Sequence, residues 1–160
     1  MKKVNTSNLA RAALIAAVYC VLTICLPMLS YGMVQIRFAE MLTVLPCYTA
    51  AAIPGLFIGC VLANLIGISM GVAGIADVFV GSLATLVAAF LTYKLRKKKA
   101  IALIPPVLVN AVVIGIELTL VSETPFYINA LCVGAGELIA CYVIGYTVSI
   151  IFDKNLNRMF

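Results

Sequence analysis

Charged residues are scarce in this sequence. Only 11% of its 160 residues are charged, whereas 64% are hydrophobic. Soluble domains average about 25% charged and about 45–50% apolar residues, and a chain of this length buries too little surface to hide such an apolar excess from water. The composition therefore excludes a soluble nucleic-acid-binding protein, a disordered chain and a secreted disulfide scaffold. It predicts helices that face lipid.

Several chemical features are also missing. Histidine is absent, and no two of the six cysteines form a Cys-x-x-Cys pair, so a metal site is not expected. Without histidine or paired acids at mid-helix, an intramembrane hydrolase has no catalytic constellation to use. The Gly-x-x-x-x-Gly-Lys-Ser/Thr loop that cradles nucleotide phosphates is missing as well. We therefore expect no cofactor and no enzymatic activity, and an ATP-driven step would need partner proteins.

Long intervals without charge divide the sequence into membrane spans. A spanning helix needs about 20 apolar residues, and the charge-free interval 41–76 is long enough for two, with a turn at Pro54-Gly55 between them. The sequence predicts an all-α membrane protein in which residues 1–160 form one domain, with Pro46 kinking or breaking the second span. The six predicted spans cover about residues 8–28, 38–52, 54–70, 76–94, 101–121 and 126–152.

The positive charges predict the orientation of the bundle. With six spans, all of the 11 lysines and arginines except Arg37 fall on one face. Cytoplasmic loops are enriched in these residues, so both termini and the basic run from Lys94 to Lys99 are predicted to be cytoplasmic. That run is better explained by contact with anionic lipid than by nucleic-acid binding.

The acidic residues follow the opposite distribution. All of the 6 acids except Asp153 fall in the outer half of the predicted bundle. Glu117 and Glu137 are the deepest, and a carboxylate inside a span costs at least about 2.5–3.5 kcal/mol unless it faces a cavity, a partner or a ligand. Asn64 in the third predicted span and Asn110 in the fifth, two turns from Glu117, add amides. We expect an outward-facing polar pocket suited to a cationic ligand rich in N–H donors.

Each of these acids also has a structural interpretation. Asp77 can cap the fourth predicted span, and Glu40 can pair with Arg37 three residues earlier. Glu117 and Glu137 can instead make buried structural hydrogen bonds.

Small residues recur at four-residue spacing in two of the predicted spans. In the third span they run from Gly55 to Gly67, and such a stripe lets another helix approach closely. One alanine pair of the first span can serve the fold, and the other is free to dock another membrane subunit. The pairs are Ala12 with Ala16 and Ala13 with Ala17.

The stretch from Val34 to Pro46 and its continuation from Ala52 to Asn64 resemble the QueT family. These are substrate-binding subunits, or S-components, of energy-coupling factor (ECF) vitamin transporters. The resemblance implies a non-catalytic six-helix S-component of the bacterial cell membrane that captures a queuosine precursor, a 7-deazaguanine base, from outside. It also implies a transmembrane T-component and two cytoplasmic ATPases as partners. The T-component would contact the alanine motif of the first span, matched here by Ala12, Ala13, Ala16 and Ala17.

Under this resemblance the polar pocket binds the precursor. A carboxylate can accept hydrogen bonds from both N1–H and the exocyclic amine of the base, and a 7-aminomethyl group calls for a second acid. Glu117 and Glu137 are expected to take these roles in one order or the other. The expected supporting residues are Asn64 and Asn110 on the remaining edge of the base, Asp77 nearby, Gln35, Arg37 and Glu40 in the first outer segment, and Tyr31 or Phe38 as a stacking lid.

Two alternatives remain open at this point. One is an S-component for a different vitamin, with the same fold and another pocket. The other is a small stand-alone transporter or exporter, which would need acids along a path through both halves of the membrane. The predicted cytoplasmic half is nearly devoid of acids.

Overall fold

The computed structural model describes residues 6–32 and 35–159, with side chains through residue 154. The predicted cytoplasmic cations Lys2 and Lys3 lie outside the described residues, and the side chain of Arg158 lies outside the described side chains. Within the described residues the chain is helical and has no strand. In chain order the elements are α1 (Thr6–Cys25), α2 (Pro27–Ser30), a 3-10 helix (Phe38–Cys47), α3 (Ala52–Ser69), α4 (Ile75–Leu95), α5 (Lys99–Ala102), α6 (Ile104–Ser122), α7 (Phe126–Leu138), a π-helical segment (Ile139–Tyr146) and α8 (Thr147–Met159).

Five helical segments of the described chain are long and apolar enough to cross a membrane. They cover residues 6–25, 52–69, 75–95, 99–122 and 126–154, and their bounds agree with five of the predicted spans to within a few residues. The prediction of an all-α membrane protein is therefore confirmed.

The second predicted span differs from its prediction. A kinked helix over about residues 38–52 does not form, and the chain instead forms a ten-residue 3-10 helix that ends one residue after Pro46, so of the two outcomes predicted for Pro46 the break is the one observed. At about 2.0 Å per residue this helix is roughly 20 Å long, against a hydrocarbon core of about 30 Å. At its end the backbone N–H groups of Tyr48 and Thr49 both donate to the carbonyl oxygen of Leu45.

The predicted turn before the third span also moves. The break in the helix lies at residues 48–51, and Pro54 stands in the first turn of α3. Proline fits there because the backbone N–H groups of the first turn have no partner within the helix.

α1 and α3 run parallel and touch along their small residues. A Cβ atom on Gly55 would lie 2.8 Å from the carbonyl oxygen of Ala12, and one on Gly59 would lie 2.9 Å from that of Ala16. The two backbones are therefore in contact, which only glycine allows at these positions. Ala12 and Ala16 are buried in this contact, whereas Ala13 and Ala17 are exposed on another face of α1.

The 3-10 helix lies between α1 and α3 in the sequence, and along it the chain returns from the end of α1 to the start of α3. It packs against α1, α3, α4 and the π-helical segment. At the last contact, a Cβ on Gly145 would lie 2.8 Å from the carbonyl oxygen of Met41, so the two irregular helices meet backbone to backbone. Because the 3-10 helix lies among the longer helices, its polar residues are held in the interior of the bundle.

At one end of the bundle, elements from distant parts of the chain meet. We call it the basic end, after Arg11 and Lys99. Lys99, in the first turn of α5, donates a hydrogen bond to the Tyr48 hydroxyl at 2.9 Å and another to Asp153 of α8. Arg11 of α1 lines a groove of about 410 Å³ together with Tyr48 and Phe152. The start of α1, the end of the 3-10 helix, the start of α5 and the middle of α8 therefore meet at the basic end.

Candidate functional site

A pocket of about 210 Å³ opens at the end of the bundle opposite the basic end. Its walls come from the segment before the 3-10 helix, the start of α4 and the last turns of α6. The polar residues that line it are Tyr31, Gln35, Asp77 and Glu117. All four are candidate binding residues of the sequence analysis, and the tertiary structure brings them to one cavity from three separate parts of the chain.

Asp77 has two structural roles at the rim of the pocket. It is the third residue of α4, and its Oδ2 accepts a hydrogen bond from the backbone N–H of Gly74 at 2.7 Å, which caps the helix. Its Oδ1 lies 3.9 Å from Nη2 of Arg37. Among the described residues Arg37 is thus ion-paired with Asp77, and no ion pair within 4.0 Å joins it to Glu40.

Arg37 is buried beneath the pocket, with only 4% of its surface exposed. Its Nε donates to the carbonyl oxygen of Ser30 at 3.2 Å, and its guanidinium lies 5.2 Å from the centre of the Tyr31 ring. Nη2 has no hydrogen-bond partner among the described residues. Buried polar atoms are normally paired, so the site keeps one unused donor next to the carboxylate of Asp77.

Asn64 supports the pocket from below and does not line it. Its Oδ1 accepts a hydrogen bond from the Tyr31 hydroxyl at 3.1 Å, and its Nδ2 donates to the backbone carbonyl of Asp77 at 2.6 Å. Burial raises the pKa of the Tyr31 phenol to about 12, so this hydroxyl remains a protonated donor. The Asn64 amide therefore fixes two walls of the pocket relative to each other.

Glu117 is the least satisfied polar residue of the site. Only 7% of its surface is exposed, and neither carboxylate oxygen has a hydrogen-bond partner among the described residues. It lies close enough to Asp77 and Arg37 for their charges to act on it. A carboxylate in this position has two acceptors with no internal use.

Glu137 lies deeper and is fully engaged. Its Oε1 accepts a hydrogen bond from Nδ2 of Asn110 at 2.9 Å, and its Oε2 is 3.6 Å from the Cys141 thiol. Neither Glu137 nor Asn110 lines the 210 Å³ pocket. The structural interpretation of Glu137, a buried hydrogen bond, therefore describes what this carboxylate does within the chain.

Glu40 forms a third polar position, on the 3-10 helix. The Tyr19 hydroxyl of α1 donates to its carboxylate, whose second oxygen has no partner among the described residues. Thr43 donates to its backbone carbonyl at 2.6 Å. Phe38, at the start of the same helix, is half-buried and does not line the pocket, so Tyr31 is the aromatic residue that does.

Sequence reasoning missed Tyr19 and Cys141 because each stands in an apolar stretch with nothing nearby to mark it. Their partners, Glu40 and Glu137, belong to other elements or lie at the change from α-helix to π-helix. Spacing along one helix cannot pair α1 with the 3-10 helix. Only the exceptional cost of burying a carboxylate signals that some donor must lie close to Glu40.

The arrangement combines unused acceptors with an unused donor. Glu117, which lines the pocket, has two carboxylate oxygens without a partner among the described residues, and Nη2 of Arg37, buried beneath the pocket, is likewise without one. A small ligand with N–H groups that enters the pocket would satisfy the carboxylate of Glu117. The described residues contain no cluster of three or more cysteine, aspartate or glutamate side chains that could hold a metal ion.

Comparisons with known proteins identify the family of this chain. A curated relative, the queuosine precursor transporter QueT of Lactococcus lactis subsp. cremoris (strain MG1363), is 29% identical over 158 residues, which cover 89% of this chain and 90% of the relative. No solved structure matches the chain significantly. The sequence model described as QueT transporter matches residues 9–154. The chain therefore belongs to the QueT transporter family.

Proposed function

We propose that this protein is the S-component of an ECF-type importer and that it captures a queuosine precursor, a 7-deazaguanine base, outside the bacterial cell. Membership of a transporter family and the function for which the Lactococcus relative is named support the substrate class. The observation that carries the proposal is the pocket lined by Glu117, whose carboxylate oxygens have no partner among the described residues, with the unpartnered Nη2 of Arg37 buried beneath it.

The chemistry of the base matches these unpaired groups. Its ring carbonyl can accept a hydrogen bond from Nη2 of Arg37, and its N–H groups can donate to carboxylate oxygens. Tyr31 and Gln35 complete the wall, with the Tyr31 ring as the stacking surface. Asn64 acts by positioning Tyr31 and Asp77.

A second layer of polar residues lies further in. Glu40, Asn110 and Glu137 are buried and do not line the pocket. We assign them to positioning, because their side chains contact other residues of the chain and do not line the pocket. Phe38 at the entry to the 3-10 helix remains a predicted lid residue.

We further propose six membrane crossings, with the 3-10 helix as a short one and both termini cytoplasmic. The parallel packing of α1 and α3 supports this, because the chain must cross back between them. So does the meeting of Arg11, Lys99 and Asp153 at the basic end, since basic residues are typical of cytoplasmic faces. Residues 1–160 would then form one transmembrane domain.

The proposed partners are a transmembrane T-component and two cytoplasmic ATPases that supply the energy. Ala13 and Ala17 are the alanine pair available to the T-component, because Ala12 and Ala16 are used against α3. Exposed small residues let a second helix approach closely within lipid.

Calorimetric titration of the purified full-length protein tests the substrate. We expect 7-aminomethyl-7-deazaguanine to bind and riboflavin, biotin and thiamine not to bind. Binding of one of these vitamins in place of the base would identify an S-component of another specificity.

Uptake of the labelled base by cells tests the mechanism. We expect uptake only when this protein, a T-component and both ATPases are expressed together. Uptake by this protein alone would instead indicate a stand-alone transporter.

A further inference from the structure

Glu117 and Glu137 are interchangeable by sequence but differ in what their carboxylates contact. Both oxygens of Glu137 have partners within the chain, Asn110 and Cys141. Both oxygens of Glu117 have none among the described residues, although the side chain is more than nine-tenths buried. Only Glu117 lines the 210 Å³ pocket. The acceptors available to a ligand are therefore those of Glu117.

The charges around the pocket do not balance. Asp77 and Glu117 contribute two carboxylates, and among the described residues Arg37 is the cationic residue whose charge acts on Glu117. Arg37 already lies 3.9 Å from Asp77, donates to Ser30 and covers the Tyr31 ring. Since a buried carboxylate without a cation or a donor is costly, the pocket lacks one positive charge at Glu117.

The acceptors at this place match the donors of a primary ammonium group. An ammonium has three N–H groups. Glu117 supplies two oxygens that have no partner among the described residues, and Oδ1 of Asp77, which lies 3.9 Å from Nη2 of Arg37, can accept the third N–H group, since Oδ2 is used by the backbone of Gly74. A nitrile or a hydrogen at the same place on the ligand brings no donor and would leave the Glu117 carboxylate unpaired.

We propose that Glu117, assisted by Oδ1 of Asp77, is the ammonium receptor of the pocket and selects the aminomethyl form of the 7-deazaguanine base over its neutral forms. This inference rests on the proposed function. It divides the roles left open by the sequence: Glu117 binds the amine of the substrate, and Glu137 holds Asn110 in the layer below.

The test compares two ligands on two variants of the full-length purified protein. The ligands are 7-aminomethyl-7-deazaguanine and 7-cyano-7-deazaguanine, and the variants are Glu117→Gln and Glu123→Gln. Glutamine keeps the shape of residue 117 and removes the charge. Glu123 is an exposed carboxylate after α6 that does not line the pocket, so it is the matched control.

We expect the wild-type protein to prefer the amine, and Glu117→Gln to weaken amine binding about 10- to 100-fold, the value of charge-assisted hydrogen bonds. The affinity for the nitrile should change by less than about threefold, which is under half of one such bond. Glu123→Gln should leave both affinities unchanged. Glu117→Asp, which keeps the charge but shortens the side chain, should retain a reduced preference for the amine and guards against misfolding of the first variant.

The outcomes separate this inference from the proposed function. If the wild-type protein binds both ligands equally, or if Glu117→Gln weakens both to the same extent, Glu117 does not read the amine and the inference is overturned while the function stands. If the wild-type protein binds neither ligand, the proposed function fails and the inference with it.

Discussion

The charged residues at the two ends of the bundle differ in burial and in hydrogen bonding. At the basic end Lys99, Tyr48 and Asp153 satisfy one another close to the surface. At the pocket end Arg37 and Glu117 are buried, and each has atoms without a partner among the described residues. Exposed pairs contribute little to stability, whereas unsatisfied buried groups are costly. The charged groups of the basic end therefore satisfy one another at little cost or gain, whereas those of the pocket end are buried at a cost that their contacts within the described residues do not offset.

Replacing Arg37 with methionine should have the largest effect. The substitution keeps the buried volume but leaves Asp77 without its cation and removes the free Nη2 donor. Breaking a buried pair costs about 3–5 kcal/mol, and because Asp77 is partly exposed we expect the lower part of that range. A lower melting temperature and loss of deazaguanine binding in calorimetry would be the expected result. Unchanged melting and binding would contradict the importance assigned to the pocket end.

Enlarging the exposed alanines should separate docking from substrate binding. Ala13→Leu with Ala17→Leu fills the face of α1 that does not pack against α3. Overpacking of a close helix contact costs about 1–3 kcal/mol, so recovery of the T-component in co-purification should fall roughly tenfold. Binding of the base should be unchanged. Ala135→Leu, on an exposed position of α7, is the control; an equal loss of T-component with that variant would show that the α1 face has no special role.

Replacing Glu137 with glutamine sharpens the comparison within the pocket end. The variant removes a charge whose oxygens are already paired with Asn110 and Cys141. One altered buried hydrogen bond is worth about 0.5–1.5 kcal/mol, so the affinities for the aminomethyl and cyano bases should both fall by up to about tenfold. The ratio of the two affinities should stay constant. A selective loss of the amine would assign that role to Glu137 and not to Glu117.

Removing Lys99 should have the smallest effect. Lys99→Met breaks the bonds to Tyr48 and Asp153, but both charged groups are partly exposed. The expected loss is below about 1 kcal/mol, seen as a small change in melting temperature that disappears in high salt. A loss as large as that of Arg37→Met would erase the contrast between the two ends.

Much of the fold was predictable because lipid imposes a simple rule on sequence. Every buried backbone group must be paired, so apolar charge-free stretches become helices. Five of the six predicted spans are such stretches, and they form long helices as predicted. The second forms a short 3-10 helix instead, because its segment contains Pro46 and the buried Glu40 and is surrounded by other helices. Its 3-10 geometry depends on contacts with α1, α4 and the π-helical segment, which no local pattern contains.

The site was predictable as a set of candidates but not as an arrangement. The cost of burying carboxylates and amides identifies residues such as Glu117, Glu137 and Asn64 from sequence alone. Their division of labour depends on partners far away in the chain. Asn64 is engaged by Tyr31 and Asp77, and Glu137 by Asn110.

By itself the sequence determined that this protein is a helical membrane protein, because an apolar excess with so few charges is stable only in lipid. It also marked the few polar residues whose burial requires a reason. Only the tertiary structure decided which alanine pair packs inside and which carboxylate remains free. Both choices depend on tertiary contacts. The helix contact that buries Ala12 and Ala16 and the hydrogen bond that pairs Glu137 each join segments that are distant in the chain.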